Sequence, residues 1–133
     1  MLCSASVQDI LARFKERGND WPSLPTKVAI QMNDTHPTLA APELMRILMD
    51  QEGMDWDTAW GLTSKAVAYT NHTVMPEALE KWPLELMQEL LPRHVEIIMK
   101  IDEQFIASVK KAYPKATEAE MTAKLGAMRI LEN

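Results

Sequence analysis

Three features of the sequence predict a helix-rich α/β fold. Two short apolar or β-prone runs, Val28–Met32 and Ala66–Thr70, each lead into a polar cluster. A helix-competent segment follows each cluster, and apolar stripes at helical spacing occupy most of the remaining chain. Strand, polar loop and helix is the order in which parallel α/β proteins place ligand-binding groups, because ligands sit outside the carboxyl ends of parallel strands. The two clusters are Asn33-Asp34-Thr35-His36-Pro37 and Thr70-Asn71-His72-Thr73, and they read as two walls of one pocket.

The elements follow in order. Ser4–Arg17 is a helix with Val7, Ile10, Leu11 and Phe14 on one stripe, stopped by Gly18-Asn19-Asp20. Trp21–Pro25 reads as a loop because two prolines punctuate it. Val28–Met32 is the first strand. Pro42 suits the first turn of a helix that carries Leu44, Ile47 and Leu48 and ends at Gly53. Asp55 caps a third helix with Trp56, Ala59, Trp60 and Thr63 on one face, which reads as core. Ala66–Thr70 is the second strand.

Pro83 opens a short helix bearing Leu84, Met87, Leu90 and Leu91, and Pro92 breaks or restarts it. Arg93–Tyr113 is the longest helix, with Val95, Ile98, Asp102, Phe105 and Val109 near helical spacing; Arg93 and His94 in its first turn oppose the helix dipole unless Glu96, or an acidic neighbour from elsewhere, compensates them. Thr117 and Glu120 form a T-x-x-E capping box that starts a last helix running to about Met128. Two strands do not make a stable open sheet by themselves. The neighbouring strands are therefore expected from chain outside these residues, and 1–133 reads as a fragment with no complete domain.

Composition narrows the function classes. The chain has 133 residues, 47% apolar and 25% charged, as in globular proteins. A formal charge of −5 with no basic run longer than Lys110-Lys111 argues against a nucleic-acid face. No apolar stretch approaches a membrane span. No secretory signal pattern opens the chain. The single Cys3 rules out an internal disulfide and fits a reducing compartment.

Asp34, His36 and His72 are the groups best suited to chemistry, and three readings compete for them. Imidazole and carboxylate are metal ligands, although a metal site needs three of them converging with outer support. Alternatively Asp34 caps the next helix and His36 is a satisfied buried histidine. The third reading is a polar ligand such as a sugar, since Asn, Asp, His, Thr and Glu all bond hydroxyls. Asp34, Glu77 and Glu80 also supply the carboxylates a glycoside hydrolase requires, with no separation readable from sequence.

The segments NDTHPTLAAPELMRIL and AYTNHTVMPEALEKWP, with SASVQDILARFK and LLPRHVEIIMKIDEQFI on either side, resemble the α-glucan phosphorylases, the glycogen and starch phosphorylases. The resemblance runs over nearly the whole chain, and MRILEN at Met128–Asn133 is similar to the plant and green-algal branch. It implies the later half of a Rossmann-like N-terminal domain in a two-domain glycosyltransferase of GT-B type. It also implies a whole enzyme that transfers glucosyl units from the non-reducing end of an α-1,4-glucan to inorganic phosphate, giving glucose 1-phosphate. By the same resemblance that enzyme is a homodimer of plastid or cytoplasm, with no nucleic-acid or membrane partner.

The resemblance shifts the site toward the sugar. It implies that Asn71, His72 and Thr73 line the glucosyl pocket, with His72 at the 6-hydroxyl. Asp34, His36 and Glu80 would line the same cavity and its side pocket, and Glu77 and Ala78 the rim where the glucan enters. These residues position substrate and perform no proton transfer, so no catalytic residue and no metal are expected in this segment. The family's cofactor, pyridoxal phosphate, is carried on a lysine within a glycine-rich signature that none of the nine lysines here matches. The isolated segment is therefore expected to be inactive. In animal members two adjacent arginines match Ala12 and Arg13 and help bind the phosphate of AMP. Alanine at the first removes a bidentate contact, so weak or absent AMP activation is expected and Arg13 reads as a solvated residue. The rival reading is a non-catalytic helical scaffold or glucan-binding module derived from the same family.

Overall fold

The two β-prone runs pair in parallel, β1 at Ile30–Asn33 and β2 at Val67–Thr70, in a computed structural model that describes residues 1–75, 77, 80–126 and 130–131. Ile30 lies opposite Val67 and Asn33 opposite Thr70. Parallel neighbours need a long crossover. Here it contains helices α3 (Ala40–Arg46) and α4 (Trp56–Ala66), and α4 packs against β2. The first strand starts later than its pattern indicates. The Val28 N–H is bonded to the Leu24 carbonyl at 2.9 Å, closing the preceding helix.

The chain divides into two units, Met1–Leu86 and Met87–Asn133. In the first, α1 (Leu2–Glu16) buries Val7, Leu11 and Phe14 and packs against α3. Gly18, at φ +70°, takes the left-handed turn that ends the helix, its N–H on the Lys15 carbonyl at 2.9 Å. The Asn19 amide donates to the Phe14 carbonyl at 3.0 Å.

The segment expected as a loop is instead a 3-10 turn at Trp21–Ser23 followed by a short helix, α2 (Leu24–Lys27). Prolines 22 and 25 stand in first-turn positions, where a missing N–H leaves no bond unmade. Burial of Leu24, which is fully inside, fixes this turn, and α2 packs against α4.

α3 buries Leu44 and Met45 and runs into a wider π turn at Ile47–Gln51, closed by the Glu52 N–H on the Ile47 carbonyl at 3.1 Å. Glu43 is buried, its side chain 3% exposed. It accepts two bonds from the Arg46 guanidinium, both 2.8 Å, and one from the Ser4 hydroxyl at 2.6 Å. This network joins α1 to α3.

Asp55 caps α4 as its position predicts, accepting the Thr58 N–H at 3.0 Å and the Thr58 hydroxyl at 2.7 Å. Ala59, Thr63 and Ala66 are buried. Trp56 and Trp60, expected in the core, are half-buried and stack on each other with centroids 6.4 Å apart. Each indole covers a face of the other, at an interplanar angle of 13°.

A short helix, α5 (Leu84–Leu90), follows Pro83. The second unit holds the longest helix, α6 (Pro92–Ala112), and α7 (Glu118–Gly126), which pack together. Arg93 pairs with Glu96 at 2.9 Å. The inward stripe of α6 is Val95, Ile97, Asp102 and Val109, so Ile97, only 1% exposed, takes the place expected of Ile98. Asp102 accepts the Ile130 N–H at 3.2 Å. The capping box is formed: the Thr117 N–H donates to Glu120 at 2.8 Å, and the Glu120 N–H to the Thr117 hydroxyl at 3.3 Å. Met128, the expected end of α7, lies outside the described residues. No helix among the described residues is long and apolar enough to cross a membrane.

Candidate functional site

Both polar clusters emerge from the carboxyl ends of the paired strands. One further ladder bond joins them, the Asp34 N–H donating to the Thr70 carbonyl at 2.8 Å. Asp34 then adopts φ +63°, the only positive φ outside glycine among the described residues. Aspartate tolerates this region because its short side chain bonds locally, and here Oδ1 accepts the Thr35 N–H at 2.9 Å. Asp34 therefore turns the chain out of the strand. It is not the cap of α3, whose N-cap position is Leu39, with no side-chain bond. The intervening turn is closed by the Thr38 N–H and hydroxyl, both on the Thr35 carbonyl at 3.1 and 2.7 Å.

His36 is not the buried histidine of the second reading. Its side chain is 66% exposed, and Nδ1 lies 2.6 Å from Oε1 of Glu80, across 44 positions of sequence. This pair ties the first loop to the segment that follows the second. The Glu80 hydrogen bond, then the Glu80 charge, with Asp34 adding a smaller share, raise the His36 pKa above the ordinary histidine value. The charged pair is thus fully present below about pH 6.5 and is lost as pH rises through the elevated His36 value. In an NMR titration, Glu80→Gln is expected to return the His36 midpoint toward that of a free histidine. An unmoved midpoint would show that Glu80 does not hold the imidazole.

The second loop is built from its own side chains. Asn71 Oδ1 accepts the Thr73 N–H at 3.0 Å, an Asx turn, and the Thr73 hydroxyl accepts the Met75 N–H at 3.2 Å. His72, held at the turn's centre, is exposed, with Nε2 3.5 Å from Asn33 Oδ1. Gln31 donates to the Thr70 hydroxyl at 2.8 Å. The sequence places Asn33 in the first polar cluster without a role of its own and Gln31 outside it, although strand alternation alone sets both on one face of β1. Glu77 is exposed, and Ala78 lies outside the described residues.

Asp34, His36, Asn71, His72, Thr73 and Glu80 thus cluster at one sheet end, with hydrogen bonds linking its two sides. The set offers hydroxyl-binding donors and acceptors in quantity. Asp34 accepts from the Thr35 N–H, and Glu80 pairs with His36. Among the described residues no three His, Cys, Asp or Glu side chains converge as a metal set.

Arg13 belongs elsewhere. It is exposed on α1 and pairs with Asp9 one turn earlier. It borders a cavity of about 470 Å³ with Arg17, Asn19 and Lys27 over Ile10 and Phe14. Lys27 precedes β1, so this cavity opens toward the amino end of that strand and the polar cluster stands at the carboxyl end.

The family profile of the carbohydrate phosphorylases matches residues 1–133. The chain is 63% identical to alpha-glucan phosphorylase 1 of Arabidopsis thaliana, over 99% of this chain and 14% of that protein. It is 58% identical to the chloroplastic/amyloplastic alpha-1,4 glucan phosphorylase L-1 isozyme of Solanum tuberosum, with the same coverage. It is 56% identical to the cytosolic alpha-glucan phosphorylase 2 of Arabidopsis thaliana, over 99% of this chain and 16% of that protein. The chain therefore spans about one-seventh of the length of these relatives and aligns with them almost end to end. With strand–loop–helix geometry and a polar cluster where such folds bind ligands, the chain belongs to the carbohydrate phosphorylase family.

Proposed function

We propose that the complete protein carrying this segment is an α-1,4-glucan phosphorylase, transferring the non-reducing terminal glucosyl unit to inorganic phosphate and releasing glucose 1-phosphate. The observation that carries the reading is the pair of loops at the carboxyl ends of β1 and β2, joined by His36–Glu80 and Asn33–His72. Within that enzyme these residues bind and orient sugar. His72, with Asn71 and Thr73, holds the glucosyl unit. Asp34, His36 and Glu80 shape the side of the cavity, and Glu77 and Ala78 guide the incoming glucan.

The segment is part of a Rossmann-like N-terminal domain of GT-B architecture, and the remaining chain completes its sheet. Val74, Met75, Trp82, Leu84 and Leu86 are exposed apolar side chains close together in sequence, the composition of a surface that more protein covers. Pyridoxal phosphate would be held outside this segment. A Schiff-base lysine works from a desolvated position. Eight of the nine lysines here are exposed, and the ninth, Lys124, is half-buried with its ammonium 4.3 Å from the Tyr113 ring. These residues do not fit the cofactor. The whole enzyme would be a homodimer of plastid or cytoplasm.

The test is product identity. The full-length protein is expected to release glucose 1-phosphate from α-1,4-glucan only when phosphate is present, at a rate AMP leaves unchanged. Free glucose as product would overturn the assignment. Strong activation by AMP would overturn the reading of Ala12-Arg13 as a lost nucleotide contact.

A further inference from the structure

We infer that Asn33 is a positioning residue for His72, holding its imidazole with the proton on Nε2 so that Nδ1 faces the sugar as an acceptor. The argument begins with the register. Side chains alternate along a strand, so Gln31 and Asn33 share one face of β1 and flank buried Met32. On the partner side Thr70 and His72 are likewise two positions apart. Gln31 stands opposite Ala68 and reaches Thr70, and Asn33 stands opposite Thr70 and reaches His72. The same diagonal step is used twice, giving two successive polar rungs on one face.

The second rung defines a tautomer. A neutral imidazole has one N–H and one lone pair, and an amide carbonyl oxygen only accepts. With Asn33 Oδ1 facing Nε2, the proton belongs on Nε2 and Nδ1 keeps its lone pair. A sugar hydroxyl meeting Nδ1 must then donate. At 3.5 Å the Asn33–His72 contact is long, as such bonds often are before substrate tightens them. The Asx turn at Asn71–Thr73 fixes the backbone on which His72 sits, and Asn33 orients the ring.

This inference rests on the reading of His72 as a contact to the 6-hydroxyl of the transferred glucosyl unit. Its test is the ratio of kcat/KM for glucose 1-phosphate over 6-deoxyglucose 1-phosphate, measured in the synthetic direction on the full-length holoenzyme. Because both substrates meet the same protein, a general loss of structure cancels in the ratio. Asn33→Leu is expected to lower the ratio by about 2- to 12-fold, the weight of one hydrogen bond. Asn33→Asp, assayed well above the histidine range so that the imidazole is neutral, keeps an acceptor in place and is expected to preserve it, as is Gln31→Leu one rung away. Asn33→Ala replaces Asn33→Leu should the latter not fold.

If His72→Ala lowers the ratio and Asn33→Leu does not, Asn33 has no positioning role although the reading of His72 stands. If Asn33→Asp loses as much as Asn33→Leu, the acceptor role is overturned. If His72→Ala itself leaves the ratio unchanged, the reading of His72 fails and the inference falls with it.

Discussion

Replacing His72 by alanine in the full-length enzyme is expected to lower kcat/KM for glucan phosphorolysis by about 5- to 150-fold, equivalent to roughly 1–3 kcal/mol of transition-state binding. The expectation follows from what the residue does and does not hold together. The loop around it is fixed by Asn71, Thr73 and backbone groups. The imidazole is exposed, and its hydrogen-bonding contact among the described residues, to Asn33, is long. Removing the ring should therefore leave the fold intact and delete one hydrogen bond to bound sugar. Thermal stability equal to the parent enzyme, together with reduced kcat/KM, is the expected pattern. Unchanged turnover and unchanged KM would show that the side chain is dispensable.

The second large effect is on stability. Arg46→Met is expected to destabilise the domain containing this segment by about 3–5 kcal/mol, the usual consequence of removing one partner of a buried ion pair. Glu43 is 2% exposed, and Arg46 is the source of two of the three bonds described at its carboxylate. The third, from Ser4, is a single neutral donor, weaker than the paired guanidinium. Because Ser4 lies on α1, the loss should loosen the α1–α3 contact as well. The urea midpoint of the full-length protein reads the effect. Glu43→Leu in the same background should recover much of it, since a well-packed apolar pair often matches a buried ion pair in stability. A midpoint unmoved by Arg46→Met would mean that water or another group reaches Glu43.

Much of this architecture is legible because local chemistry and global fold agree. Asp55 and the Thr117–Glu120 box are side-chain caps whose geometry is written in four consecutive residues. The two strands are marked by β-prone runs that end in polar clusters. The misreadings have equally local causes. Pro22 and Pro25 signal a break by composition, yet both fit the first turn of a short helix once Leu24 is buried. Ile97 and Ile98 are neighbours about 100° apart on a helix, so a small rotation of α6 decides which faces inward. The π turn at Ile47–Gln51 leaves no compositional trace. At the site, residue types singled out two loops that the structure brings to one sheet end, but the partners did not follow from spacing. His36 finds Glu80, and His72 finds Asn33, only because the parallel register brings distant positions together.

The brevity of β1 has an evolutionary consequence. With side chains alternating along Ile30–Asn33, a single inserted or deleted residue would exchange the faces of Met32 and Asn33. The amide would move into the core and the thioether out onto the polar face, and both polar rungs would vanish in one step.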